Sequence, residues 1–246
     1  MKILVPISKV PDTTAKIAFT ENNTQFDTNN VQFILNPTDE WYALVRAIEL
    51  KEKLGGSVTV INVGGAENDQ FIRKALAVGA DNAVRIDGEA KDGFYVASQI
   101  AAHTKAENYD MVITGKETIN YNGSQIGGMV AEMLDTAYVG LVTKLEMEGE
   151  TAVIRREIEG GEEIVEASLP LVISAQKGLA EQRIPNMRGI MQARTKPLAV
   201  NAAVDANAMV SISSYELPPA KTGVKLVDAD NVEELVRLLH EEAKAI

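Results

Sequence analysis

"YDMVITGKETINYNGSQIGGMVAEML", residues 109–134, decides the fold: an apolar run, a polar loop of glycines, hydroxyls and amides, then apolar residues at helical spacing. Ile126, Met129, Val130, Met133 and Leu134 share one helical stripe, so the helix starts near Ser124 and Gln125. The run ending at Thr114 reads as a buried parallel strand, and doubly wound sheets bind ligands beyond the carboxyl ends of such strands. Gly115 lets backbone approach a ligand closely there. Unpaired N–H groups and the positive dipole end at the helix start suit a phosphate, with Gly127 and Gly128 clearing space in the first turn. A long polar loop with a capping serine accounts for the same residues, and no Walker-A or GxGxxG spacing decides between the two.

Working outward, "KILVPIS", "SVTVINV" and "NAVRID" are further β-branched runs of the buried parallel type. Helical patterns fall between them. Asn36 is expected to cap the first, with Pro37 at its first position and Trp41, Leu44, Val45 and Ile48 on one stripe. "FIRKALAVGAD" ends a second at Gly79, and "GFYVASQIAAHTKAE" supplies a third. The expected fold is therefore α/β, a doubly wound mostly parallel sheet with helices on both faces. From residue 138 the pattern changes to strands joined by turns at Gly149 and at Gly160 with Gly161, expected to be antiparallel and to extend or flank the sheet.

Residues 176–197, "QKGLAEQRIPNMRGIMQARTKP", have no clean period and are too long for an ordinary connection. They carry Lys177, Arg183, Arg188, Arg194 and Lys196 in an acidic chain, interleaved with Leu179, Ile184, Met187, Ile190 and Met191. An apolar tip with a basic rim suits docking; packing of the 190–197 end on its own protein or on a partner subunit is the other reading. At the far end "DNVEELVRLLHEEAKAI" is an amphipathic helix, with Asp230 and Glu233 at capping-box spacing. The chain thus divides into an α/β domain at 1–175, an arm at 176–197 and a C-terminal extension at 198–246.

The chain has 246 residues, 46% hydrophobic and 24% charged, enough for a sizeable core. A formal net charge of −11 argues against a nucleic-acid partner. With no cysteine there are no disulfides, thiolate ligands or cysteine nucleophiles, and His103 and His240 read as helix-surface or half-buried residues, so neither a metal site nor a catalytic residue is expected. The N-terminus enters a strand directly and no apolar stretch reaches spanning length, so the expectation is a cytoplasmic chain without membrane insertion.

Taken together, "KVPD", "LNPTDEWYALVRAIELKEK", "IRKALAVGAD", "ITGKETINYNGSQIGGMVAEML", "RREIEGGEEIVEASLPLVIS" and "RGIMQARTKP" resemble the β subunits of electron transfer flavoproteins, in order and over nearly the whole chain. The resemblance implies a heterodimer with an α subunit that holds the redox FAD, while this chain binds a structural AMP. It implies electron transfer from acyl-CoA and related dehydrogenases, as in fatty acid oxidation, toward a quinone-linked oxidoreductase of the respiratory chain.

On this sequence the implied AMP contacts are Pro6 on the first strand; Asn36, Pro37, Thr38 and Asp39; and Val60 and Val63. The loop adds Gly115, Lys116, Glu117, Thr118, Ile119 and Asn120, followed by Tyr121, Asn122, Gly123, Ser124, Gln125 and Ile126. Asn120 and Asn122 stand where animal relatives are aspartate-rich, and bifurcating members place a second FAD in this site and accept hydride from NADH, which is the alternative. Thr13 matches a position near the flavin of the α subunit, although Pro11 and Asp12 also suit an ordinary turn. The arm matches the segment that anchors dehydrogenases, which assigns docking to Leu179, Arg183, Ile184, Met187 and Arg188.

Overall fold

Buried β-branched runs must pair their backbone N–H and C=O groups, and in the computed structural model, which describes residues 1–220 and 223–246, they do so in one nine-stranded sheet. The chain opens with β1 (Lys2–Pro6), then β2 (Lys9–Pro11), β3 (Phe19–Thr20), β4 (Gln25–Phe26) and β5 (Phe33–Leu35). β2 pairs with β5 and β3 with β4 as short antiparallel ribbons outside the main sheet. There follow α1 (Asp39–Leu54), β6 (Ser57–Val63), α2 (Asp69–Val78), β7 (Asn82–Asp87), α3 (Gly93–Glu107), β8 (Met111–Gly115) and α4 (Ile126–Leu134). The second half holds β9 (Ala137–Glu148), β10 (Thr151–Ile158), β11 (Gly161–Ser168), β12 (Leu171–Ala175), α5 (Met187–Ala193), β13 (Leu198–Ala202) and α6 (Val232–Glu241).

The strand order is β11-β10-β9-β12-β8-β1-β6-β7-β13. Every pairing from β9 across to β13 is parallel, and only the β9–β10 and β10–β11 pairings are antiparallel. Side chains along each strand alternate between two cores. Ile3, Val5, Val58, Val60 and Ile113 pack with Leu44 and Ile48 of α1 and Ile72 and Leu76 of α2. Leu4, Ile61, Val63 and Val112 face the other way, against Ile100 of α3 and Val130 of α4. Both faces are covered, as the uninterrupted apolar runs require.

β1 pairs with β6 on one side and β8 on the other, so the chain reverses direction across the sheet at β1. At that switch point the carboxyl ends of β1 and β8 lie side by side; this is the crevice position of doubly wound sheets, and the first turn of α1 packs against it.

Several local expectations change. Asn36 does not cap α1: the cap position is Thr38, without a side-chain cap bond, and Asn36 lies buried two residues earlier. α6 is capped one residue later than the spacing suggested, Asn231 accepting from the Glu234 N–H. The first part of β9 runs parallel to β12 before the strand turns out to pair with β10, so it belongs to the parallel sheet. The irregular arm contains the short helix α5, and the extension beyond it returns to the sheet as the edge strand β13. No helix among the described residues is long and apolar enough to cross a membrane.

Candidate functional site

The chain leaves β1 at Ser8, whose N–H and Oγ both donate to the Glu40 carboxyl in the first turn of α1, at 2.8 and 2.7 Å. Glu40 is buried, and that burial pushes its pKa up to about 7 against the lowering hydrogen bonds from Ser8 and Asn36. Beside it, burial raises Asp39 while the Lys116 ammonium pulls it down. Asn36 is fully buried; its Nδ2 donates to the Glu117 carbonyl at 3.3 Å, and its Oδ1 has no hydrogen-bond partner. The segment 36–40 therefore lies directly against the loop that leaves β8.

That loop is held by its own polar groups. Thr118 Oγ1 donates to Asn120 Oδ1 at 2.5 Å, the Asn122 N–H donates to the Thr118 carbonyl, and Asn122 and Ser124 take positive φ. Ser124 Oγ donates to Glu117 Oε2 at 3.0 Å and does not cap α4. Burial raises Glu117, but hydrogen bonds from Lys116, Asn122 and Ser124 outweigh it and hold the carboxyl below its usual range. α4 starts at Ile126 with Gln125 in the cap position and no side-chain cap bond. Its first N–H groups therefore have no capping side chain, at the positive end of the helix dipole.

The glycines serve packing. A Cβ on Gly115 would lie 2.7 Å from the Glu40 nitrogen and 2.8 Å from its Cγ, so the close approach there is to α1. A Cβ on Gly127 would meet Thr114 and Tyr138, which fill the space expected to be clear. Pro6 ends β1, buried on the sheet. Val60 is fully enclosed on the α1 side, whereas Val63 points to the α3 side at the end of β6, so the two do not share a wall. Lys116, Thr118 and Ile119 are half-buried, and Tyr121 and Gly123 are exposed at the turn of the loop.

Sequence reasoning missed Glu40 and Ser8; adjacent acids at the start of an apolar helix were the available signal. It also missed Tyr215, which stacks on Phe19 at 4.8 Å and, through burial and the Tyr121 hydroxyl, has its phenol pushed up to about 12. No group of His, Asp or Glu among the described residues could hold a metal ion. His103 shares a hydrogen bond with the Tyr109 hydroxyl at 3.1 Å, away from the crevice. Thr13 is exposed in a turn built by Asp12, whose carboxylate accepts from the Thr14 N–H and Oγ1.

The model of the electron transfer flavoprotein domain matches residues 23–206. The chain is 36% identical, over an alignment of 260 residues covering 100% of both chains, to the electron transfer flavoprotein subunit beta of Bacillus subtilis (strain 168). The chain belongs to the electron transfer flavoprotein family, among its β subunits. The β subunits of Syntrophomonas wolfei and Homo sapiens are 37% and 32% identical to it, with 94% and 98% of this chain and 92% and 97% of theirs covered.

In this electron transfer flavoprotein β subunit the arm separates into inward and outward parts. Leu179 is buried in the core. Arg183 forms a two-pronged ion pair with Glu52 of α1 at 2.8 and 2.9 Å, which takes it out of the free basic rim. Ile184 is 86% exposed and Met187 73%, and Arg188 is exposed beside them.

Proposed function

We propose that the chain is the β subunit of a heterodimeric electron transfer flavoprotein in the cytoplasm, holding one structural AMP at the β1/β8 crevice. Its α subunit carries the FAD that accepts electrons from acyl-CoA and related dehydrogenases and passes them toward a quinone-linked oxidoreductase. AMP supplies no redox chemistry when bound; it joins the strand ends to the loop.

The observation that supports the AMP reading is the pairing of an uncapped start of α4 with the buried, unpartnered Asn36 Oδ1, whose side chain lies against the loop between β8 and α4. A phosphate suits the first and a nucleobase amino group the second. Pro6, residues 36–39, Val63 and the loop 115–126 are the assigned contacts, and Val60 acts through packing behind them. The Ser8 hydroxyl donates to the buried Glu40 carboxyl at 2.7 Å and ties the exit of β1 to α1, a packing contact in keeping with a ligand that is held and not turned over.

The ligand content of the heterodimer tests the reading. Acid release from co-purified subunits should give one FAD and one AMP. Two FAD and no AMP would replace it with the bifurcating reading, in which this chain's own flavin accepts hydride from NADH.

A further inference from the structure

α5 spans seven residues, too few to persist as a helix without support. Its support comes almost wholly from α2. Arg73 Nη1 donates to the Ala193 carbonyl at 2.8 Å and to the Lys196 carbonyl at 2.6 Å, where α5 ends. In return, Lys196 Nζ donates to the Leu76 and Ala80 carbonyls at 2.9 and 2.5 Å, where α2 ends. Arg73 on α2 and Lys196, three residues past α5, thus reach across to carbonyls at or just beyond the C-terminal end of the opposite helix. On the facing side a Cβ at Gly189 would collide with the Ala77 carbonyl, and Ala193 is buried, so the two helices touch through small residues.

The large side chains of α5 point away from this contact. Met187 and Met191, four apart and on one helical face, are 73% and 67% exposed. A segment used only as packing would turn them inward and put its small residues in water; here the reverse holds. Arg188 and Arg194 flank the face, and neither forms an ion pair among the described residues.

We propose that Arg73, with Lys196 reciprocating, is the positioning residue of the docking arm: it fixes the angle at which α5 presents Met187 and Met191 to an apolar, acid-rimmed pocket on an electron-donating dehydrogenase. The inference rests on the docking role assigned to the arm above. Arg73 touches neither partner nor cofactor and acts through α5. The guanidinium suits this task because the two N–H bonds of its planar Nη1 hold two carbonyls in fixed directions.

The experiment measures KM and kcat of a dehydrogenase from the same organism for the intact heterodimer as electron acceptor. The variants are Arg73→Met, Arg73→Lys, Lys196→Met, Met187→Ala and the double variant R73M/M187A, with melting temperature and nucleotide content recorded for each. R73M and K196M should raise KM about tenfold with kcat within about twofold, and R73K should recover part of the loss. In the M187A background R73M should add less than about twofold, because the face it positions is already lost.

Equal effects of R73M with and without Met187, or a KM rise that follows melting temperature and is not relieved by R73K, would overturn the positioning role. So would an unchanged KM in R73M and K196M while M187A raises it. An unchanged KM in M187A itself would instead remove the docking reading beneath it. If R73M fails to assemble, K196M and R73K decide the question by the same comparisons.

Discussion

A carboxyl enclosed like that of Glu40 holds its proton in the fold well above the usual carboxylate range. Its pKa rises from 4.5 to about 7, with burial as the leading cause. Between those values the unfolded chain has released the proton and the folded chain still binds it, so stability falls as pH rises. Glu40's contribution is complete below pH 4.5 and lost by about pH 7, amounting to something on the order of 3 kcal/mol. Glu40→Gln preserves an acceptor for Ser8 without the proton. Denaturation midpoints across pH 4 to 8, roughly the span on either side of the two pKa values, should fall for the wild type relative to E40Q and then run parallel. Parallel curves throughout would show that Glu40 titrates as an ordinary carboxylate. The need for glycine at position 115 was legible from its place after a strand, but its neighbour was not. α1 and β8 lie far apart in sequence, so a reading of local pattern assigned the space to a ligand when the backbone of Asp39 and Glu40 fills it.

At the scale of elements, the arm is two structures joined in sequence. Its first half is tied to α1 by the Arg183–Glu52 pair and by Gln182 donating to the Pro37 carbonyl, and its second half is α5. Reversing charge should therefore act differently at two neighbouring arginines. Arg188→Glu leaves the fold intact and should slow association with a dehydrogenase while reducing its salt dependence. Arg183→Glu places like charges together on α1, and pairing it with Glu52→Arg should restore wild-type behaviour. Stopped-flow reduction at several ionic strengths separates the two; the same response at both positions, unaffected by the E52R partner, would show that the crossing to α1 has no part in docking. The parallel strands were legible because burial on both faces imposes continuous apolar runs, and the helices between them because one wet face imposes a 3.6-residue period. Where burial is slight the code weakens. α5 has one buried residue and β13 is mostly exposed, so neither carries a period strong enough to read. Asn36 was misplaced for a related reason: an Asn-Pro pair suits a cap, but a tertiary contact with Glu117 claims its amide.

The whole molecule has more surface than a chain of its size keeps when folded alone. Its accessible surface is 14356 Å², against about 10,700 Å² expected for a compact monomer of this mass. Much of the excess lies in the extension after β13, where Met209, Val210, Leu217 and Leu226 are exposed and α6 leaves Val232, Leu235 and Val236 in water. The extension is fastened by few contacts. Gln99 exchanges hydrogen bonds with Val204, Asp92 accepts from the Met209 and Val210 N–H groups, and Tyr215 stacks on Phe19. Anchored polar points with apolar stretches between them suit a strap that closes on another surface. The excess on this one chain is larger than the roughly 1,000–2,500 Å² that each partner of a permanent hetero-complex contributes, so it leaves room for an interface of that class. Co-expression with the α subunit should therefore give a 1:1 heterodimer, whereas this chain alone should self-associate and hold little or no flavin. Amide exchange across residues 203–220 and 223–246 should be fast in the isolated chain and slow by at least about tenfold in the heterodimer, since protection there would come from the interface and not from the chain's own core. A monodisperse isolated chain loaded with flavin would contradict the assembly, and a heterodimer whose extension exchanges as freely as before would place the interface elsewhere on the sheet.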